Sequence, residues 1–264
     1  MKFVFTAALF LVAMVGAQVQ AQRRDESFEV ASIKPNNSGE NPYYVRIVPG
    51  GNLRALNASL QAIITTAYQI PDFELAGGPA WLTTEKWDIE AKGPGAAPPQ
   101  QVLEMLRALL AERFQLKVHT ESRQMPIYAL VVAKNGPKLE PSHLECFDPT
   151  ARIPPPTPNA RPCGGFNRGP AQMLGARIAM PGLAKTLSKI AGRTVVDKTG
   201  IEGAYDVALN WNPDELLQPD RDSAASESAS LFTAIQEQLG LRLEVQRGLV
   251  DILVIDSVAR ASAN

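Results

Sequence analysis

Residues able to carry nucleophilic or metal chemistry are scarce in this chain. Two histidines, His119 and His143, and two cysteines, Cys146 and Cys163, are all it has among 264 residues. No Gly-x-Ser-x-Gly elbow and no His-Glu-x-x-His helix occurs, which removes the usual serine hydrolases and zinc peptidases. No serine is followed three residues later by lysine, so the nucleophile pair of penicillin-binding enzymes is missing. There is no P-loop and hence no nucleotide cradle. An excess of one charge is missing too, since 26 lysines and arginines stand against 27 aspartates and glutamates. That balance gives no field to steer the chain to nucleic acid or an anionic membrane. Beyond the first residues, no apolar run reaches the ~20 residues that span a bilayer. These absences leave no catalytic residue, no metal ligand set and no cofactor motif to assign.

What is present begins with an export signal. Lys2 precedes an apolar run over residues 3–17, and small residues then offer cleavage after Ala17 or Ala21. Residues 1–21 therefore read as a signal peptide, too short at about 15 apolar residues to span a bilayer. No cysteine follows the run to take a lipid anchor. The expected location is exported, periplasmic or extracellular, with no stable membrane insertion after cleavage. In that compartment an isolated cysteine pair reads first as a disulfide. A Cys146–Cys163 bridge closes a loop of about 17 residues, worth ~3 kcal/mol on chain-entropy grounds. A zinc site using both thiolates and His143 needs a fourth ligand that the sequence does not name.

The rest of the chain, 45% hydrophobic and 20% charged, is globular in composition. Its pattern predicts an α+β fold with mostly antiparallel sheets in two related halves, 27–134 and 173–258. Each half is ordered strand, helix, short strand, strand, helix, strand, strand. In the first, Ser59 caps a helix running to Tyr68, and a second helix over 100–113 carries the stripe Val102, Leu103, Leu106, Leu109 and Leu110. In the second, a helix from Pro181 ends at Gly192, and another covers 231–239. Each half closes with two strands joined by a turn carrying Arg123 or Arg247. Matching positions keep a similar spacing: Trp87-Asp88-Ile89 lies 118 residues before Tyr205-Asp206-Val207, and Leu116 lies 125 before Leu241. That regularity predicts an internal duplication. Residues 135–172 hold nine prolines and both cysteines. They predict a proline-rich linker between the halves, stapled by the disulfide. A polar loop over 212–229 and a tail over 259–264 complete the layout.

Several short patterns resemble chemistry. Asp197-Lys198-Thr199-Gly200 matches the core of a phosphorylation site of P-type pumps, but Ile201 follows where that motif has threonine. A strand turn with Gly200 permitting positive φ accounts for it. His119 and Glu121 share a strand face by the two-residue period and read as solvated surface. Asp88 and Asp206 occupy matching places, each beside an aromatic on an alternating strand. They are the one carboxylate pair that would support a hydrolase; the alternating pattern makes them solvated strand residues. Trp87 and Trp211 fall on apolar faces and belong to the core, whereas Trp81 follows a turn and is the tryptophan expected to be exposed. Arg193 and Lys198, with Lys189, form a modest basic cluster. Trp81, Arg193 and Lys198 are therefore the candidate binding residues.

Four segments carry a resemblance to a known family: Phe28-Glu29-Val30-Ala31-Ser32-Ile33-Lys34-Pro35, Leu109-Leu110-Ala111-Glu112-Arg113-Phe114, Gly192-Arg193-Thr194-Val195-Val196-Asp197-Lys198-Thr199-Gly200 and Gln236-Glu237-Gln238-Leu239-Gly240-Leu241. Together they resemble a large paralogous family of exported acidobacterial proteins of unknown function. In that family the same domain also occurs attached to membrane metallopeptidases of the β-lactam-sensor type. The resemblance covers roughly residues 27–258; the tail Ala259-Arg260-Ala261-Ser262-Ala263-Asn264 departs from it by lacking the usual glutamates and proline. The family supplies no catalytic residues, and its company with sensor proteases implies extracytoplasmic sensing or interaction. Each half is also similar to the short N-terminal domain of secretins and TonB-dependent receptors, a module that binds protein partners. The resulting expectation is an exported, non-enzymatic protein that binds a protein, peptide or cell-envelope ligand, with an extracytoplasmic hydrolase as the alternative.

Overall fold

The computed structural model describes residues 27–39, 42–95, 97–143, 146–147, 163–169, 171–212 and 230–261. The expected signal peptide, residues 1–21, lies outside them, as do residues 213–229 of the polar loop and 262–264 of the tail. The chain forms two compact units: unit 1 comprises Met1–Glu121 with Asp251–Asn264, and unit 2 comprises Ser122–Val250. The α+β class holds, and antiparallel sheets dominate.

Unit 1 is built on β1 (Val30–Asn36), β2 (Tyr44–Val48), β3 (Asn52–Ser59) and β5 (Lys86–Lys92), in the antiparallel order β1-β5-β3-β2. One face alternates apolar, with Ile33, Leu53, Ile89 and Trp87 buried. Helices α1 (Leu60–Tyr68) and α3 (Pro99–Arg113) cover that face. The Ser59 hydroxyl accepts the Ala62 N–H at 3.2 Å, so α1 starts where the capping residue dictates. A short α2 (Trp81–Thr84) follows β4 (Leu75–Gly77). Unit 1 also packs Leu253, Ile255 and Ala261 into its core. Ala259 donates to the Phe114 carbonyl at 2.7 Å. Residues 259–261 of the expected tail are thus part of the packed unit.

Unit 2 repeats the plan. Its strands are β7 (Glu140–Pro141), β8 (Phe166–Gly169), β9 (Gln172–Ile178) and β11 (Tyr205–Asn210), in the order β7-β11-β9-β8. Helices α4 (Met180–Ala191) and α5 (Leu231–Leu239) pack on Met173, Ile178, Val207 and Leu209. Reading β7 for β1, β8 for β2, β9 for β3 and β11 for β5 turns one strand order into the other. The second copy therefore starts at β7, inside the stretch expected to be a linker. Within 135–172 the described residues include two short strands, β7 and β8, at the two edges of this sheet. Strands of two and four residues, set among prolines and glycines, are too short to show alternation in the sequence.

Backbone conformation supports the repeat. Among the described residues, four that are not glycine have positive φ: Asn57, Gln69, Gln115 and Arg177. Asn57 and Arg177 each sit three residues before a helix. Gln69 caps the C-terminus of α1 as Gly192 caps that of α4, and Gln115 follows α3 as Gly240 follows α5, all with positive φ. A side chain is rarely placed there without a topological need.

The largest departure from expectation concerns the last strands. No turn occurs at Arg123 or Arg247. β6 (Lys117–Val132) and β12 (Leu241–Ser257) are single strands of 16 and 17 residues. Each is shared: β6 gives 117–121 to unit 1 and 122–132 to unit 2, while β12 gives 241–250 to unit 2 and 251–257 to unit 1. Within unit 1, β4 pairs parallel with β12, Leu75 opposite Leu253. Within unit 2, β10 (Val195–Asp197) pairs parallel with β6, Val195 opposite Tyr128. The short strand of each copy is therefore completed by the long strand of the other, and neither contiguous half is a compact unit.

Candidate functional site

The matched aspartates turn out to brace backbone. Asp88 accepts the Asn57 N–H at 2.8 Å and the Asn36 side-chain amide at 2.8 and 3.1 Å. Asp206 accepts the Arg177 N–H at 3.2 Å, the His143 N–H at 2.9 Å and the Ser142 hydroxyl. Asn57 and Arg177 are the positive-φ residues at the two strand irregularities, β3 against β5 and β9 against β11. Each carboxylate accepts the backbone N–H of its own bulge. The two carboxylates lie in separate units, each engaged by its own bulge.

The other sequence-derived candidates are also engaged. The Asp197 carboxylate accepts the Thr199 N–H at 2.9 Å and the Thr199 hydroxyl at 2.8 Å, a turn built from the motif itself. Lys198 donates to the Gln246 side chain at 2.8 Å. Arg193 stacks over Tyr128 at 4.7 Å. Trp81 is half-buried, and the Arg260 guanidinium lies 4.9 Å from its ring centroid. Arg260 also forks onto Glu85, whose carboxyl it holds below its ordinary range, chiefly by hydrogen bonding. His119 faces Asp256, with Nδ1 2.7 Å from Oδ1, and both side chains are about half exposed, in keeping with a place on the surface. Trp87 and Trp211 are buried, as expected from their strand faces, and their indole N–H groups have no acceptor among the described residues. Cys146 and Cys163 form the disulfide. The bridge lies just before β8, and there the Gly164 N–H donates to the Ala176 carbonyl of β9 at 2.9 Å. No cluster of three metal-ligating side chains occurs among the described residues.

What the sequence did not show is the outer face of the first sheet, opposite α1 and α3. Register brings side chains from four strands into rows across it. Ser32 of β1 stands opposite Glu90 of β5, Glu90 opposite Arg54 of β3, and Arg54 opposite Arg46 of β2. Arg54 pairs with Glu90, which raises the affinity of the guanidinium for its proton, first through the hydrogen bond. Arg46 is exposed and stacks on Tyr44, its guanidinium carbon 4.0 Å from the ring centroid. No acidic partner for Arg46 occurs among the described residues. Two depressions flank this row. One of about 280 Å³ is lined by Ser32, Lys34, Tyr44, Arg54, Asp88 and Glu90, with Leu56 and Ala55. The other, about 470 Å³, takes in Val30, Val48, Asn52 and Lys92 beside Ser32, Arg54 and Glu90.

β2 forms one edge of this sheet, and no strand pairs with its outer side among the described residues. Its neighbours in the sequence matter: Tyr43 is 66% exposed, while Val45 and Ile47 pack against the core from the inner face. The arrangement can take an extended chain by backbone hydrogen bonding, with side chains read on two faces. No signal in the sequence could have revealed the row, because residues 46, 54 and 90 meet only through strand register.

No curated protein and no solved structure is significantly similar to this chain. One protein-family model does match, over residues 61–258, from α1 through the end of β12. The chain belongs to the family described as protein of unknown function (DUF3738).

Proposed function

We propose that this chain is an exported, non-enzymatic binding protein that takes an extended protein segment along the open edge of the first sheet. The observation that carries the reading is β2. It is a five-residue, proline-free strand at a sheet edge, beside a face hollowed on both sides of a charged row. The other edges are poorer templates. β4 and β10 have three residues, β7 has two, β8 has four, and β1 contains Pro35. Strand addition uses backbone groups for affinity and alternate side chains for selection. Export is supported by the 1–21 segment and by a disulfide, which persists in oxidising compartments. No helix among the described residues is long and apolar enough to cross a membrane. The resemblance to a family found with sensor metallopeptidases favours recognition in the cell envelope over turnover of a substrate. The engaged state of Asp88 and Asp206 weighs against a carboxylate hydrolase.

The test is hydrogen exchange on the full chain with peptides selected for binding from a displayed library. Slowed exchange confined to the amides of 44–48 is the expected result. Protection confined to unit 2, with 44–48 unchanged, would discard the reading.

A further inference from the structure

The charged row across the first sheet is unfinished, and its missing member defines a ligand. From the middle of the sheet to its edge the row runs Glu90, Arg54, Arg46, that is, negative, positive, positive. Glu90 neutralises Arg54. Among the described residues, Arg46 at the edge meets the Tyr44 ring and no carboxylate. Opposite charges facing each other across strands stabilise a sheet, and like charges destabilise it. A strand added outside β2 would place one side chain directly opposite Arg46. We infer that the segment bound at β2 carries a carboxylate at that position, with aliphatic residues immediately before and after it.

The flanking requirement comes from the pleat. Residues on either side of the carboxylate point to the other face of the sheet. There they meet Val45 and Ile47, which are half-buried against the core of unit 1. An added strand with valine, isoleucine or leucine at those places continues the apolar inner face. The recognised pattern is therefore apolar, acidic, apolar in an extended chain.

Arg46 also argues against a second copy of this chain as the occupant. It is the central residue of Tyr44–Val48. Two copies pairing β2 antiparallel about a two-fold axis would set Arg46 against Arg46 or displace the register, and a central charge on an edge strand is a common defence against self-pairing. The duplicated unit gives an internal contrast. The positions that match Glu90, Arg54 and Arg46 are Ala208, Leu174 and Asn167, aligned across β11, β9 and β8. The second sheet keeps the fold and carries no charge at those three positions.

This inference rests on strand addition at β2, and the experiment separates the two. The full chain is titrated with three synthetic peptides, alike except for a central Val-Glu-Val, Val-Lys-Val or Val-Ser-Val. Affinity is measured by calorimetry and amide protection by hydrogen exchange. The glutamate peptide is expected to bind about tenfold more tightly than the lysine peptide. Arg46→Glu should invert that order, and Arg46→Gln should erase it. Equal binding of all three, with 44–48 protected, overturns the carboxylate requirement and leaves strand addition standing. No protection of 44–48 by any of them overturns both. Self-association of the wild-type chain through β2 would overturn the choice of occupant.

Discussion

The two sheets share a strand order, two covering helices and an aspartate-braced bulge, yet they differ on their outer faces. In the first, Glu90, Arg54 and Arg46 cross the sheet; in the second, Ala208, Leu174 and Asn167 take their places. The connection after the first strand differs as well. It is short between β1 and β2 and carries the disulfide between β7 and β8. What both copies keep is what the fold needs. Asp88 and Asp206 fall in that class, which is why the residues most like a catalytic pair are structural. What one copy alone has is the charged row, which is why the proposed binding edge is placed on the first sheet.

The largest effect should come from cutting the chain in two ways. A fragment spanning Ser122–Val250 keeps every strand and the whole core of unit 2 and should unfold cooperatively. A fragment of 135–258 follows the repeat boundary, loses the β6 partner of β10, and should show no cooperative transition by circular dichroism. If the second fragment folds as well as the first, strand sharing is not what holds the units together. Next comes the staple found in one copy only. Cys146→Ser with Cys163→Ser should cost about 3 kcal/mol of unfolding free energy, read from denaturant midpoints, with no further loss on adding reductant.

The aspartates test whether the copies are equivalent. Asp88→Ala and Asp206→Ala each strand a bulge N–H and should each cost roughly 2 kcal/mol by urea unfolding. A large cost at one and none at the other would break the equivalence. Smaller effects with opposite signs are expected after the second helix of each copy. Gln115→Gly relieves a left-handed side chain and should stabilise by up to about 1 kcal/mol. Gly240→Ala introduces a Cβ against the Gly136 carbonyl and should destabilise by more than that gain. Thermal melts of the two variants decide the matter.

The smallest effect concerns pH. Arg260 lowers the folded-state pKa of Glu85. That contribution is present above the carboxylate's unfolded pKa and is lost as pH falls through its folded pKa. Glu85→Gln should therefore remove that small contribution near neutrality and leave stability at low pH nearly unchanged, so that the acid limb of the stability profile flattens. An unchanged acid limb would show that this exposed pair contributes nothing.

The helices were legible because their ends are chemically marked. Ser59 caps α1, Pro181 opens the first turn of α4 and Gly192 closes it. The strands were legible where one face is buried, as at Trp87, Ile89 and Ala91. They failed where burial lapses. In β6 the run from His119 to Ser122 is exposed and Pro126 follows, so a continuous strand imitates two strands and a turn. β7 and β8 hide among prolines for a related reason: an edge strand of a few residues needs little hydrophobicity. The charged row was invisible because its members lie far apart in the chain, and only strand register makes them neighbours.

The exchange of long strands has a consequence for ancestry. A duplicated segment normally leaves either copy free to be deleted. Here each copy finishes the other, so removal of one would leave a seam open in the survivor. A chain reduced to one copy would have to find another partner for its short strand, since β4 pairs with β12 and β10 with β6.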